Sequence, residues 1–201
     1  LPFFSERDAE VPCLLDFVNT HPDITTVLDV GCLGSKYLKG LREMNKTVDG
    51  IDIYPSEAEK PFLRDYFVGN VATYPLQLYD LVICLSTIEH IGIKPYRVTD
   101  FVAEQNAVFN KLAEVSKRYM YVTFPYGASA FIEGECVVIS KERLNGFQAL
   151  VPKALCNVKF FFNEVIWKFA DWRKISQDEA DKVLYDSAKG GRCVCILEVI
   201  K

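Results

Sequence analysis

The stretch Val27-Leu28-Asp29-Val30-Gly31-Cys32-Leu33-Gly34-Ser35 decides how the rest of the chain is read. An apolar run of this kind, without polar alternation, suits a parallel strand covered on both faces. The glycines behind it let the backbone turn sharply and approach a ligand, before a helix whose first amides favour an anionic group. Working outward, similar runs recur at Thr47 to Ile53, at Phe67-Val68-Gly69, at Leu81 to Ser86 and at Tyr119 to Phe124. Helical patterns separate them. Asp100 can cap a helix carrying Phe101, Val108, Leu112 and Val115, and Pro12 suits the start of one carrying Leu14, Leu15 and Val18. Strands alternating with helices predict an α/β protein with a doubly wound, mostly parallel sheet.

After Pro125 the rhythm changes. Ser140 can open a short helix, and the aromatic stretch from Val158 to Trp172 reads as a long strand or bent hairpin. Ser176 and Glu179 form a capping box ahead of Ala180, Val183 and Leu184, with Gly190-Gly191 closing that helix. Arg192 to Ile200 is a last β run. These segments predict seven strands, the last two an antiparallel C-terminal hairpin. No linker, repeat or composition break divides the chain, so residues 1–201 are expected to form one domain.

The 201 residues are 50% apolar and 25% charged, which excludes a disordered or low-complexity chain. A net charge of −4 argues against a nucleic-acid partner bound through its phosphates. No apolar run reaches the length of a membrane helix, and no signal peptide opens the chain. Leu1 stands in place of an initiator Met, so a few residues are expected ahead of it. The seven cysteines are odd in number and lie mostly in apolar segments, without a Cys-x-x-Cys pair. They read as reduced core thiols of a cytoplasmic protein. With His21 and His90 the only histidines, no metal site is expected.

In doubly wound sheets, ligands bind beyond the carboxyl ends of the strands. Gly31, Cys32 and Gly34 follow the first run there, and Asp52 and Ile53 end the second. Asn70 and Val71 follow the third, and Leu85 and Ser86 end the fourth. Asp52 can accept both hydroxyls of a ribose, Ile53 can press on an adenine face, and Asn70 with the Val71 amide can reach the adenine edge. This pattern suits any adenosine cofactor, NAD included, although the full Gly-x-Gly-x-x-Gly is absent. Asp29 separates the possibilities. A second carboxylate there repels a pyrophosphate and suits the cationic methionine end of S-adenosylmethionine.

Here the sequence resembles the class I S-adenosylmethionine-dependent methyltransferases. The resemblance rests on five words in order: Val27 to Ser35, Gly50-Ile-Asp-Ile53, Tyr79-Asp-Leu-Val-Ile83, Ser86-Thr-Ile-Glu-His-Ile-Gly92 and Val122-Thr-Phe-Pro-Tyr-Gly127. The last two look most like a bacterial branch associated with sugar or surface-polysaccharide modification. The resemblance implies a Rossmann-like fold, with residues 1–126 as the cofactor half and 127–201 as the substrate side. It implies S-adenosyl-L-methionine as cofactor, held by the ten residues from Asp29 to Ser86 named above. The acceptor it implies is a small molecule or sugar, methylated at oxygen or nitrogen.

The chain also departs from the family pattern. Leu33 and Ser35 stand where the Asp-x-Gly-x-Gly-x-Gly loop has glycines, with Gly34 between them, and Asn70 replaces a common adenine-binding Asp. The usual Pro-Gly-Gly turn before the fifth strand is Val115-Ser-Lys-Arg-Tyr119 here. His90 follows the fourth strand and is the candidate general base, against a bracing role in its loop; Glu89 beside it is a candidate to orient the cofactor or act on substrate. Some RNA-end methyltransferases pair a similar Glu-His with a second Glu and His around a metal, but His21 precedes the first strand. Tyr96, Tyr126, Phe160, Phe162, Trp167 and Trp172 can wall a substrate cleft or pack the core. Arg7 can fold over the cofactor's carboxylate or stand in solvent. Two other functions fit less well: a non-catalytic cofactor-binding partner subunit, and a nicotinamide oxidoreductase.

Overall fold

A computed structural model describes residues 6–93, 100–128, 131–132, 136–164, 172–184 and 191–201. The described residues begin with helix α1 (Arg7–Thr20), then β1 (Thr26–Val30), α2 (Leu38–Glu43), β2 (Thr47–Asp52), β3 (Tyr66–Val68) and β4 (Tyr79–Leu85). Helix α3 (Phe101–Val115) leads straight into β5 (Ser116–Pro125), followed by the two-residue strands β6 (Phe131–Ile132) and β7 (Cys136–Val137). Helix α4 (Lys141–Ala149), β8 (Leu155–Glu164), β9 (Arg173–Ile175), α5 (Gln177–Ala180) and β10 (Gly191–Ile200) complete it. The main sheet has the order β3-β2-β1-β4-β5-β10-β8-β9. Strands β1 to β5 pair in parallel, and β10 enters antiparallel beside both β5 and β8.

The apolar runs become central strands because each feeds two cores at once. Along β4, Leu81, Ile83 and Leu85 face one core, while Val82 and Cys84 face the other. Val27 and Leu28 on β1, and Tyr121 and Val122 on β5, divide in the same way. This is the period of two along a strand, with apolar partners on both sides. Leu14, Phe17 and Val18 of α1, with Leu38 and Leu41 of α2, cover one face. Val108, Phe109 and Leu112 of α3, with Leu144 and Phe147 of α4, cover the other. Asp100 and Ser140 cap α3 and α4 as expected, each accepting a hydrogen bond from the third residue of its helix.

Three expectations change. Among the described residues the sheet has eight strands, because β9 adds to the edge beside β8 with Phe160 opposite Ile175. Helix α1 starts at Arg7 instead of Pro12, so the proline lies inside it. Pro12 removes a backbone hydrogen bond there, but Ala9 and Glu10 are buried against the sheet, and that anchorage extends the helix N-terminally. The Ser176–Glu179 capping box is present, yet α5 is four residues long. Val183 accepts the Ala128 amide with its carbonyl, drawing the chain toward the end of β5 and leaving Leu184 exposed. Gly190 lies outside the described residues.

Candidate active site

The carboxyl ends of β1 to β4 open onto one cleft of about 510 Å³. Gly31 directly follows β1 with φ +75°, and a Cβ there would stand 2.3 Å from Thr87 Oγ1. Glycine is therefore required twice over, for the turn and for the close crossing of the β1 and β4 loops. Asp52 at the end of β2 receives the Leu33 amide on Oδ2 (3.1 Å) and the Tyr54 amide on Oδ1 (3.0 Å). Each carboxylate oxygen retains a lone pair for a further donor. Asn70 folds its Oδ1 back onto the Ala72 amide at 2.9 Å. Gly31, Asp52, Ile53, Asn70, Val71, Ser86 and His90 all line the cleft.

The other predicted residues stand behind this lining. Leu85 is buried, and Cys32 packs its sulfur where a Cβ on Gly50 would fall. Gly34 turns its amide to Glu59 Oε1 at 2.8 Å, and Leu33 takes its place in the cleft wall. Asp29 is fully buried and accepts the Tyr37 hydroxyl on Oδ1 at 2.5 Å. Its Oδ2 has no hydrogen bond among the described residues. Burial pushes the Asp29 carboxyl up to about 6, against the lowering by Tyr37, Ser35 and Arg7.

Glu89 and His90 share the single 3₁₀ turn Ile88–His90 that follows β4. Glu89 is buried with Oε2 lacking a hydrogen bond among the described residues, and burial pushes its carboxyl well up. Its Oε1 lies 3.8 Å from His90 Nε2, an ion-pair distance when the ring is protonated and too long for a hydrogen bond. The His90 side chain remains 46% exposed at the cleft.

Sequence reading passed over Glu10, which holds the site from behind. Its Oε1 accepts Ser86 Oγ (2.5 Å) and Thr123 Oγ1 (2.6 Å), and its Oε2 accepts Arg7 Nη1 (3.0 Å). Ser86 is thereby fixed at φ +39°, unusual for a residue with a side chain. An Arg and a Glu three apart on a helix normally signal only a surface pair, so no local signal marked it. Leu33, Tyr54, Thr87 and Glu104 also line the cleft. The aromatic wall is different: Tyr126 is buried with its hydroxyl donating to Asp181 (2.6 Å), and Phe160 packs 4.7 Å from it. Phe162 lies beneath the Arg173 guanidinium, Trp172 is half-buried, and none of these four lines the cleft. Tyr96 and Trp167 lie outside the described residues. His21 stacks on Phe17, and no three His, Cys, Asp or Glu among the described residues gather as a metal site.

No protein-family model matches the chain, and no curated protein is similar in sequence. Solved structures are similar. A methyltransferase dependent on S-adenosylmethionine from Archaeoglobus fulgidus superposes with a TM-score of 0.61 at 16% identity, covering 96% of this chain and 94% of its own. Magnesium protoporphyrin IX methyltransferase from Synechocystis, with S-adenosylhomocysteine bound, gives 0.60 at 15%, covering 97% and 83%. An amino pentose methyltransferase from Micromonospora echinaspora, with S-adenosylmethionine bound, gives 0.58 at 14%, covering 96% and 92%. The chain has the fold of these methyltransferases. That fold includes the mostly parallel sheet and the antiparallel C-terminal strands anticipated from sequence.

Proposed function

We propose that the chain is an S-adenosylmethionine-dependent methyltransferase acting at oxygen or nitrogen of a small-molecule or sugar acceptor. One observation carries this reading: the ends of four parallel strands converge on a single cleft, with Asp52 on its lining and the buried, incompletely bonded Asp29 behind it. The donor set fits the cofactor. Asp52 receives the ribose hydroxyls, Ile53 and Val71 flank the adenine, and Asn70 meets its edge. Gly31 admits the ligand against the backbone, while Cys32, Gly34 and Leu85 shape the loops that carry these groups. Asp29 and Glu89 leave carboxylate oxygens open in an apolar setting, where a cation relieves them.

When bound, S-adenosylmethionine supplies an activated methyl group on a positively charged sulfur. The chain contributes alignment, for which about 7–11 kcal/mol is available in general. His90, exposed beside Ser86 and Thr87, takes the proton that the acceptor releases, and Glu89 stabilises the imidazolium that results. The acidic balance of the chain and of its cleft, where Asp52 and Glu104 face Arg7, favours a small uncharged or basic acceptor over RNA or DNA. The amino pentose methyltransferase among the structural neighbours supports a sugar. Cys13, Cys32, Cys84, Cys156, Cys193 and Cys195 carry free thiols, four of them buried, which suits a reducing compartment, and on them we base a cytoplasmic location.

Calorimetry with S-adenosylmethionine, S-adenosylhomocysteine and NAD tests the cofactor. Heat is expected with both sulfur ligands and not with NAD; no binding of either would sink the reading. Asp52→Ala should weaken S-adenosylhomocysteine by about 100-fold, the loss of two charge-assisted hydrogen bonds. Unchanged affinity would place the ligand elsewhere.

A further inference from the structure

Resting on that cofactor reading, we propose that Glu59 is a positioning residue that sets which adenosine ligands the cleft accepts. By holding the Gly34 amide it closes the loop after β1 to a 5′-phosphate, and leaves it open to a neutral or cationic sulfur group. The ground for this is where five consecutive backbone amides go. Gly31 donates to the Ile51 carbonyl at 2.9 Å, and Cys32 shares that carbonyl at 3.5 Å. Leu33 donates to Asp52 Oδ2 at 3.1 Å, Gly34 to Glu59 Oε1 at 2.8 Å, and Ser35 to the Cys32 carbonyl at 3.1 Å. An amide has one proton to give, so none of the five is left for a ligand.

Phosphate-binding loops work the other way, with successive amides and a helix N-terminus turned toward the anion. Here two of the amides end on carboxylates, and α2 behind the loop is only six residues long. Glu59 is buried just ahead of the 3₁₀ turn Lys60–Phe62, and its Oε2 has no hydrogen bond among the described residues. Burial works against its charge, but the Ser56 hydroxyl and the Gly34 amide outweigh burial and hold the carboxyl below its ordinary value. Nothing lies within 4 Å of where a Cβ on Gly34 would stand, so the bond to Glu59, and not packing, holds this residue. With Gly34 turned away, Leu33 stands on the cleft wall, 48% exposed. Arg7, the one lysine or arginine among the described lining residues, is paired with Glu10. An anion over Gly31 to Leu33 therefore meets like charge and no free loop amide. A thioether or sulfonium asks for no donor and gains an apolar neighbour in Leu33.

The test compares 5′-methylthioadenosine with adenosine 5′-monophosphate by calorimetry on the full chain. The two ligands differ only in the group on the 5′ carbon. The unaltered protein should bind 5′-methylthioadenosine about 100-fold more tightly. Glu59→Ala, which frees the Gly34 amide, should cut that ratio about tenfold by strengthening the monophosphate. Glu59→Gln keeps an acceptor for the amide but removes the charge, and should cut the ratio about threefold. If Glu59→Ala leaves the ratio unchanged, or weakens both ligands equally, Glu59 is only a structural support of its loop and the proposal is overturned. An unaltered protein that does not favour 5′-methylthioadenosine overturns it too, and the cofactor reading stands if S-adenosylhomocysteine still binds. Failure of S-adenosylhomocysteine to bind brings down both. Should Glu59→Ala not fold, Glu59→Gln decides the matter, an unchanged ratio being the adverse result.

Discussion

At the amino end of the sheet, Asp80 opens β4 with Oδ2 receiving the amides and hydroxyls of Thr25 and Thr26 at 2.6–3.0 Å, and Lys117 stands 3.5 Å from Oδ1. Asp49, farther along β2, is met by Arg64, Gln77 and the Tyr79 hydroxyl. At the carboxyl end, Asp29 and Glu89 are equally buried and each keeps an oxygen without a hydrogen bond among the described residues. Burial opposes the charge of Asp80, but its threonine donors outweigh that and hold its carboxyl well below the usual range. Burial wins at Asp29 and Glu89, and both carboxyls are raised. The first pair closes the strands at their base. The second leaves electrostatic demand at the cleft, which a cationic ligand can meet.

The contrast can be broken by substitution at either end. His90→Ala, at the carboxyl end, should lower turnover by about 10²-fold or more while leaving S-adenosylhomocysteine affinity unchanged. Equal loss of both would make His90 a structural residue of its loop. Asp80→Asn should cost about 3 kcal/mol in denaturant unfolding, since it removes a charge that four donors and a lysine were arranged to meet. A loss below about 0.5 kcal/mol would show that the threonine cluster is incidental.

Asp29→Asn should do the reverse, raising the stability of the ligand-free protein at pH 7.5 by about 1–2 kcal/mol while weakening S-adenosylmethionine. Destabilisation would remove the contrast between the two ends. The pH dependence sharpens the same comparison. A carboxyl raised on folding contributes stability below its unfolded pKa, and that is lost as pH rises from about 4 to about 6 for Asp29. Asp80, lowered on folding, contributes above about pH 4, and its contribution disappears as the pH falls further. The pH slopes of the two variants should therefore depart from that of the unaltered protein on opposite sides of about pH 4, below it for Asp80→Asn and above it for Asp29→Asn.

Much of the site was legible because its residues sit at strand ends. Gly31, Asp52, Asn70 and Ser86 are each placed by the run preceding them, and a parallel sheet brings those ends together. Gly34 and Asn70 show the limit of that reading. Their backbone and side-chain groups are engaged by Glu59 and by Ala72, partners that spacing from the strand does not reveal. Tyr126 closes the word Thr-Phe-Pro-Tyr and looks like a cleft residue, yet Asp181, 55 positions away, draws its hydroxyl into the interior. Glu10 is the larger omission. Its burial depends on Ser86 and Thr123, 76 and 113 residues on, and no local pattern encodes distances of that order.

By itself the sequence determined the alternation of strands and helices, the two-sided core and the order of the cleft-facing loops. Those follow from side-chain periodicity and from glycine's backbone freedom, which act over a few residues. The tertiary structure alone decided which carboxylates are satisfied and which are left open, where α1 begins, and that Arg7 faces the cleft. Hydrogen-bond satisfaction in the interior depends on partners contributed by distant strands, and only the folded sheet brings Glu10, Ser86 and Thr123 within reach of one another.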